Sequence, residues 1–324
     1  MSNNINGDVL LVGAGCMAAE YSRVLETMGI SYTVVGRSRT SAEEFQKKTN
    51  HFANTGGLAH FCTAHSGSLN FQWAIVASNA DELAANTCTL LRAGVKNILV
   101  EKPAGLHIEE IARVDELTKQ RHAHVFVAYN RRFYASVQKV RELIERDGGV
   151  SSFQFDFTEW SNKLVEMNLN PVVLENLFYA NSTHVVDLAF FLGGKPKEMC
   201  CFKNGSLAWH PAGASFCGAG QSQNDAPFSY QANWESAGRW GVEINTTRNK
   251  YILCPLEKLQ IQKRDSIQTD FCKIADQKDI DFKPGLFEQV AAFLKSDHTN
   301  LKTIEEQRND AEMYNKMLCM DQTV

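Results

Sequence analysis

The sequence predicts an α/β domain followed by an α+β domain. The first is a doubly wound parallel sheet, and the second an open, mostly antiparallel β-sheet domain. Three observations predict this. A strand-like run, a glycine turn and a helical pattern succeed one another over residues 8–28. Apolar strand-like runs then alternate with helix-like stretches up to residue 133, the pattern of a parallel sheet. Beyond residue 150 the apolar runs come at hairpin spacing, with one helix among them. The domains are accordingly drawn as 1–133 and 134–324, ordinary sizes for a chain of 324 residues.

The elements follow in order. Val9, Leu10, Leu11 and Val12 form a continuous apolar run, as in a strand covered on both faces. Gly13, Gly15 and Ala18 then fit G-x-G-x-x-A, the Rossmann dinucleotide fingerprint. Gly13 turns the chain tightly, and Gly15 leaves the backbone bare for a pyrophosphate. Ala18 lets the helix lie close to its strand. Cys16 and Met17 open that helix, whose free N–H groups point at the phosphates. Met17, Ala18, Tyr21, Val24, Leu25 and Met28 repeat at helical spacing, and Gly29 stops the helix.

A strand at 32–35 completes the β-α-β unit, and a helix is expected near 41–49. Residues 50–70 read as irregular. A strand at 73–77 precedes a helix at 81–93 with Ser78, Asn79 or Asp81 as its cap, and a strand at 97–100 precedes a helix at 107–121. A strand at 124–128 closes the series. In the second half a helix at 135–146 comes first. Strands are expected at 150–160, 198–203, 228–234, 240–245, 250–254 and 259–263. The interrupting helix, 185–192, is capped by Asn181, Ser182 or Thr183, and two helices near 284–296 and 303–320 end the chain. Residues 204–226 read as a long loop whose Trp209-His210-Pro211 could form a lid. Alternation places Tyr230, Ala232 and Trp234 on one sheet face, with Trp234 and Trp240 expected to cover a subunit interface or stack on a ligand ring.

Composition narrows the function classes. Hydrophobic residues make up 44% and charged residues 22%, so large cores can form. A net charge of −4 without a long basic run argues against nucleic acid or an anionic membrane as partner. The polar start, residues 1–8, lacks a signal-peptide pattern, and no apolar run is long enough to span a bilayer. A cytoplasmic protein is expected. Nine scattered cysteines without a C-x-x-C pair read as small buried hydrophobes of a reducing compartment. His60, Cys62 and His65 lack a matching second pair, so no metal site is expected.

Candidate site residues fall at the carboxyl ends of the parallel strands, where such sheets bind ligands. After the second strand stand Gly36-Arg37-Ser38, with no acid among them. An arginine and a hydroxyl suit a ribose 2′-phosphate, which favours NADP over NAD. Lys102, fixed by Pro103, can place an ammonium beside a nicotinamide, or can be a solvated loop charge. His184 and Asp187 share a helix face, so His184 reads either as an acid/base with Asp187 holding its ring or as a packed histidine.

Glu101-Lys102-Pro103-Ala104-Gly105, Asn130-Arg131-Arg132-Phe133, Thr183-His184-Val185-Val186-Asp187 and Leu192-Gly193-Gly194 follow the order of one family. The chain resembles the glucose–fructose oxidoreductase / inositol dehydrogenase / rhizopine-catabolism (Gfo/Idh/MocA) oxidoreductases over essentially its whole length. The resemblance implies a nicotinamide-binding domain and an open sheet that often pairs in a homodimer or homotetramer. It also implies that the proline after Lys102 is often cis. Lys102 and His184 match the active-site lysine and histidine, Asn130 and Arg131 a segment near the cofactor, and Asp187 a structural position.

Cofactor contacts are thus expected from Gly13, Gly15, Cys16, Met17, Ala18, Arg37, Ser38, Ser78, Asn79, Glu101, Lys102, Pro103, Asn130 and Arg131, and catalysis from Lys102 and His184. One departure stands out: many members carry an aspartate four residues before the histidine, where this chain has Ala180. The implied reaction is hydride transfer between the nicotinamide and a carbinol or carbonyl of a sugar, cyclitol or nucleotide sugar. Transient use of a tightly held cofactor in non-redox sugar chemistry, or a non-catalytic cofactor-binding sensor, are the alternatives.

Overall fold

The computed structural model describes residues 9–65 and 67–320; the polar start 1–8, with the signal-peptide expectation resting on it, lies outside the described residues. The described residues divide into two compact units: 9–129 with Leu286–Asp310, and Asn130–Gly285 with 311–320.

In the first unit, β1 (Val9–Val12) leads to α1 (Cys16–Thr27), β2 (Tyr32–Val35), α2 (Arg39–Thr49), β3 (Ala53–Asn54), α3 (Gly57–Ala64) and β4 (Trp73–Val76). A short 3-10 turn, Ala80–Glu82, opens α4 (Leu83–Arg92), followed by β5 (Asn97–Glu101), α5 (Ile108–Arg121) and β6 (His124–Ala128). The strands lie in the order β6-β5-β4-β1-β2-β3, all parallel. The order reverses at β1, between β4 and β2, and the carboxyl end of such a switch point is where a crevice opens. Every residue of β1 and β4 is buried, because helices cover both faces. Ala18 is fully buried on α1, which allows the helix to approach the sheet closely.

Residues 50–70 are more ordered than expected. Leu58, Phe61 and Cys62 recur at helical spacing and are buried, so α3 forms behind the left-handed Gly56 and Gly57. Ala53 and Asn54 add a short edge strand beside Val34 and Val35.

The second unit holds α6 (Ala135–Arg146), β7 (Ser152–Asp156), α7 (Ser161–Glu166), α8 (Pro171–Glu175), α9 (Thr183–Gly193), β8 (Pro196–Asn204), β9 (Ser215–Ser222), β10 (Pro227–Asn233), β11 (Gly241–Asn245), β12 (Asn249–Leu253), β13 (Gln260–Lys263), β14 (Thr269–Phe271) and α10 (Gln277–Asp281). Its eight strands run β14-β13-β12-β11-β7-β10-β9-β8, antiparallel except for β7 beside β10. One sheet face is apolar: Phe153, Phe155 and Phe157 form a ring cluster with Phe190, Phe178 and Tyr230. Helix α9 lies against β7 and β11 and is almost entirely buried, which explains its nearly unbroken apolar sequence.

The expected loop 204–226 contains β9. Its Gly218 and Gly220 disguise it: a Cβ at Gly218 would sit 2.5 Å from the Tyr230 ring, and one at Gly220 2.1 Å from the Glu198 carbonyl. Small residues are required there, so the strand lacks the apolar signature. The proposed lid and interface are corrected as well. His210 is buried with Nδ1 2.8 Å from the Gly213 carbonyl, and Trp209 stacks on Trp234 with centroids 6.0 Å apart. Trp234 is 1% exposed against His210 and Phe216, so it is a core residue of its own unit. Cys16, Cys200, Cys217 and Cys254 are exposed, against the expectation of uniformly buried thiols, because three of them lie on or beside the outward sheet face.

The chain then returns to the first unit through α11 (Leu286–Leu294) and β15 (Lys302–Thr303), which pairs antiparallel with β6 at the sheet edge, before α12 (Ile304–Met317). Residues 286–310 therefore belong with the first sheet, whereas the sequence assigned all of 134–324 to the second domain. Two strand residues carry too little periodicity to announce that return. Among the described residues no helix is long and apolar enough to cross a membrane.

Candidate functional site

In the first unit a cavity of about 620 Å³ opens at the carboxyl ends of β1, β2 and β4. Gly13, Gly15, Cys16, Met17, Arg37, Ser38, Ser78 and Asn79 all line it. The two glycines differ in their task. Gly13 has φ +124°, and a Cβ there would lie 2.3 Å from the Ala77 carbonyl, so it serves the fold. Gly15 has extended backbone, and a Cβ would meet nothing within 4 Å. It serves the cavity. Gly15 is also the cap of α1, and no side chain caps that helix. The first amides of α1 thus face the cavity with no side-chain acceptor supplied by the cap, which suits a diphosphate.

At the β2 end, Arg37 forms an ion pair with Glu82 from the 3-10 turn after β4. The expectation of an acid-free ribose end is corrected: Glu82 lines the same cavity, brought there from 45 positions away in sequence. Ser38 caps α2, its Oγ accepting from the Ser41 amide at 3.1 Å and lying 2.8 Å from Ser41 Oγ. Ser78 Oγ accepts from Asn86 Nδ2 at 3.0 Å. Asn79 precedes the 3-10 turn without a side-chain capping bond. The helix after β4 is therefore not capped as anticipated, and Ser78, Asn79 and Asn86 border the cavity instead.

Ala18, Glu101, Lys102 and Pro103 belong to the first unit but do not line this cavity. Tyr21 of α1 donates to Glu101 at 2.8 Å, and burial with the nearby carboxylate pushes that phenol well above its ordinary pKa. Glu101 thereby ties the end of β5 to α1. The Lys102–Pro103 peptide is cis, and Gln307 Nε2 donates to the Pro103 carbonyl at 3.0 Å. Lys102 itself is half-buried.

The remaining candidates sit in the second unit. A π-helical turn, Phe178–Ser182, runs directly into α9, which begins without a side-chain cap; Asn181, Ser182 and Thr183 are thus not the expected caps. His184 lies in the first turn of α9, is 7% exposed, and its ring centroid is 6.1 Å from that of Trp240. Asp187, three residues further along α9, is bound by an arginine. Both of its oxygens accept from buried Arg132, at 2.8 and 2.7 Å, so Asp187 anchors α9 to the Asn130–Phe133 turn.

Asn130 donates to the Pro284 carbonyl at 2.9 Å, and Arg131 lies over Trp240 and Tyr134. Neither lines the first unit's cavity. A residue the sequence did not reveal is Glu159, 1% exposed. It accepts from Ser182 Oγ at 2.7 Å and from Asn181 Nδ2 at 3.1 Å. The turn that lacks an acid at Ala180 thus holds a carboxylate from the segment after β7. Among the described residues no cluster of metal-ligand side chains occurs, and His65 Nδ1 is committed to the Phe61 carbonyl at 2.8 Å.

Residues 8–129 match the model of an oxidoreductase family with an NAD-binding Rossmann fold. No curated protein matches the sequence significantly. Levoglucosan dehydrogenase in complex with NADH is similar at a TM-score of 0.75 and 17% identity, over 96% of this chain and 95% of that one. UDP-N-acetylglucosamine 3-dehydrogenase from Acidithiobacillus ferrooxidans is similar at 0.72 and 14% identity, over 97% of each chain. A dehydrogenase from Clostridium difficile is similar at 0.77 and 14% identity, over 97% of this chain and 99% of that one. At such identities the likeness establishes the shared two-part fold.

Proposed function

We propose that the chain, whose residues 8–129 match the model of an oxidoreductase family with an NAD-binding Rossmann fold, is an NAD(P)-dependent dehydrogenase or reductase acting on a sugar, cyclitol or nucleotide sugar, as its resemblance to the Gfo/Idh/MocA oxidoreductases implies. The observation that carries this reading is the Gly15 cradle: bare backbone and an uncapped helix start facing a cavity of about 620 Å³. Those features fit a dinucleotide diphosphate. When bound, the nicotinamide would supply hydride exchange with a substrate carbon. Lys102 Nζ would stabilise the substrate oxygen as charge develops, and a ring nitrogen of His184 would take or return the hydroxyl proton. Glu159 would hold the Asn181–Ser182 turn from which His184 projects.

The preferred cofactor in this reading is NADP(H). Arg37 uses one nitrogen on Glu82, and its fork has further donors for a 2′-phosphate. NAD(H) is the second reading, favoured by Glu82, whose carboxylate can accept ribose hydroxyls. The sheet of the second unit would pair in a homodimer or homotetramer. The scattered cysteines fit a reducing compartment such as the cytoplasm.

The test is a panel of sugars, cyclitols and sugar nucleotides followed by NAD(P)H absorbance, with Lys102→Ala beside the wild type. Turnover should fall by a factor of about 100 or more, while cofactor affinity stays within about twofold. Equal loss of both, or no loss, would refute the assignment.

A further inference from the structure

Beside His184, two guanidiniums meet the Trp240 ring. Both guanidiniums lie over the Trp240 ring, with Arg131 Cζ 4.8 Å and Arg239 Cζ 4.2 Å from its centroid. Arg239 also stands 4.6 Å from the Trp160 ring. Two carboxylates act on this group, Glu159 by contact with Arg239 and Glu257 through its field at Arg131. Glu159 Oε2 lies 3.4 Å from Arg239 Nη1, and the same carboxylate already accepts from Ser182 and Asn181. Among the described residues Arg131 makes no ion pair; its hydrogen bond goes to the adjacent Asn130 Oδ1, at 3.4 Å. Two further donors, Arg131 Nε and Trp240 Nε1, are buried without an acceptor.

Folded proteins rarely leave buried donors unmet, and a guanidinium cannot relieve the deficit by losing its proton near neutrality. Burial does lower the Arg131 pKa, which marks the cost of holding that charge there. A structural stack alone would be better served by apolar partners. The cluster also opens outward, since 40% of the Arg239 side chain is exposed. Acceptors from outside the chain would therefore complete it. A planar carboxylate or a phosphate suits a guanidinium fork best.

We propose that Arg131, Trp240 and Arg239 form the subsite for an anionic group of the substrate, so that the sugar acted on beside His184 carries a carboxylate or a phosphate. This rests on the dehydrogenase reading for its link to catalysis, but not for the binding itself. In this proposal Arg131, expected at the cofactor, would hold the substrate instead.

The experiment is Trp fluorescence titration of the full chain with D-glucose, D-glucuronate, D-glucose 6-phosphate and inorganic phosphate. It is repeated on Arg239→Gln and Arg131→Gln, whose folding is checked by thermal midpoint. At least one anion should bind about tenfold or more tighter than D-glucose, and either substitution should erase that preference. The carboxylate and phosphate arms tell the two sources apart. Absence of saturable anion binding, or a preference that survives both substitutions, overturns the proposal. Arg239 lies at the open end of the stack, so Arg239→Gln keeps the test decisive if Arg131→Gln fails to fold. Anion binding without turnover of any sugar would sink the dehydrogenase reading and leave the subsite standing; turnover confined to neutral sugars would do the reverse.

Discussion

Two glycines two residues apart make opposite predictions. At Gly15 the backbone is extended (φ −93°, ψ −169°), which any residue adopts, and a Cβ would touch nothing within 4 Å. Gly15→Ala should therefore cost only about 0.5 kcal/mol, the difference between glycine and alanine as a helix cap. The new methyl group, however, projects where a diphosphate must approach the first amides of α1. Losing one charge-assisted hydrogen bond costs about 1.5–3 kcal/mol. That weakens NAD(P)H binding by about tenfold to a hundredfold. Gly13→Ala places its Cβ 2.3 Å from the Ala77 carbonyl at φ +124°. Strain and clash together should cost on the order of 3 kcal/mol and lower Tm by roughly 6–12 °C. Fluorescence titration and thermal melts on both variants separate the effects. If Gly15→Ala binds as tightly as the wild type, the phosphate cradle is misplaced.

Other consequences can be checked alongside. Arg37→Ala should weaken NADPH about tenfold or more and leave NADH nearly unchanged, whereas Glu82→Gln, which frees Arg37, should move preference toward NADPH; paired cofactor titrations decide. Arg132→Met should destabilise by about 3–5 kcal/mol in denaturant melts, because Asp187 is left charged and buried, and Arg132→Met with Asp187→Leu should recover most of the loss. Burial holds the His210 imidazole below its ordinary pKa. The unfolded chain then binds the extra proton, so the stabilisation is present above about pH 6.5 and is lost as pH falls through the lowered folded value. The Tm drop between pH 7 and pH 5 should shrink in His210→Asn, whose amide can still reach the Gly213 carbonyl.

The parallel half was legible because its signals are local. An apolar run such as Val9–Val12 must be covered on both faces, and Gly13, Gly15 and Ala18 each answer a steric demand within one turn. What escaped was set at a distance. β9 is written in glycine because Tyr230 and Glu198 press on it from neighbouring strands. β15 is two residues long and is defined by its partner β6. Glu82 and Glu159 look like ordinary surface acids in sequence. Only folding sets them against Arg37 and against the turn before His184. Asp187 was ambiguous by helical spacing alone, since i and i+3 share a face; the competing partner, Arg132, comes from 55 positions away.

The central claim is that the first unit holds a nicotinamide dinucleotide against the start of α1. Equilibrium titration of the full chain with NADPH and with NADH, followed by nucleotide fluorescence, tests it most directly. Saturable one-to-one binding, tighter for NADPH and weakened in Gly15→Ala, is the expected result. Failure of both nucleotides to bind would contradict the account.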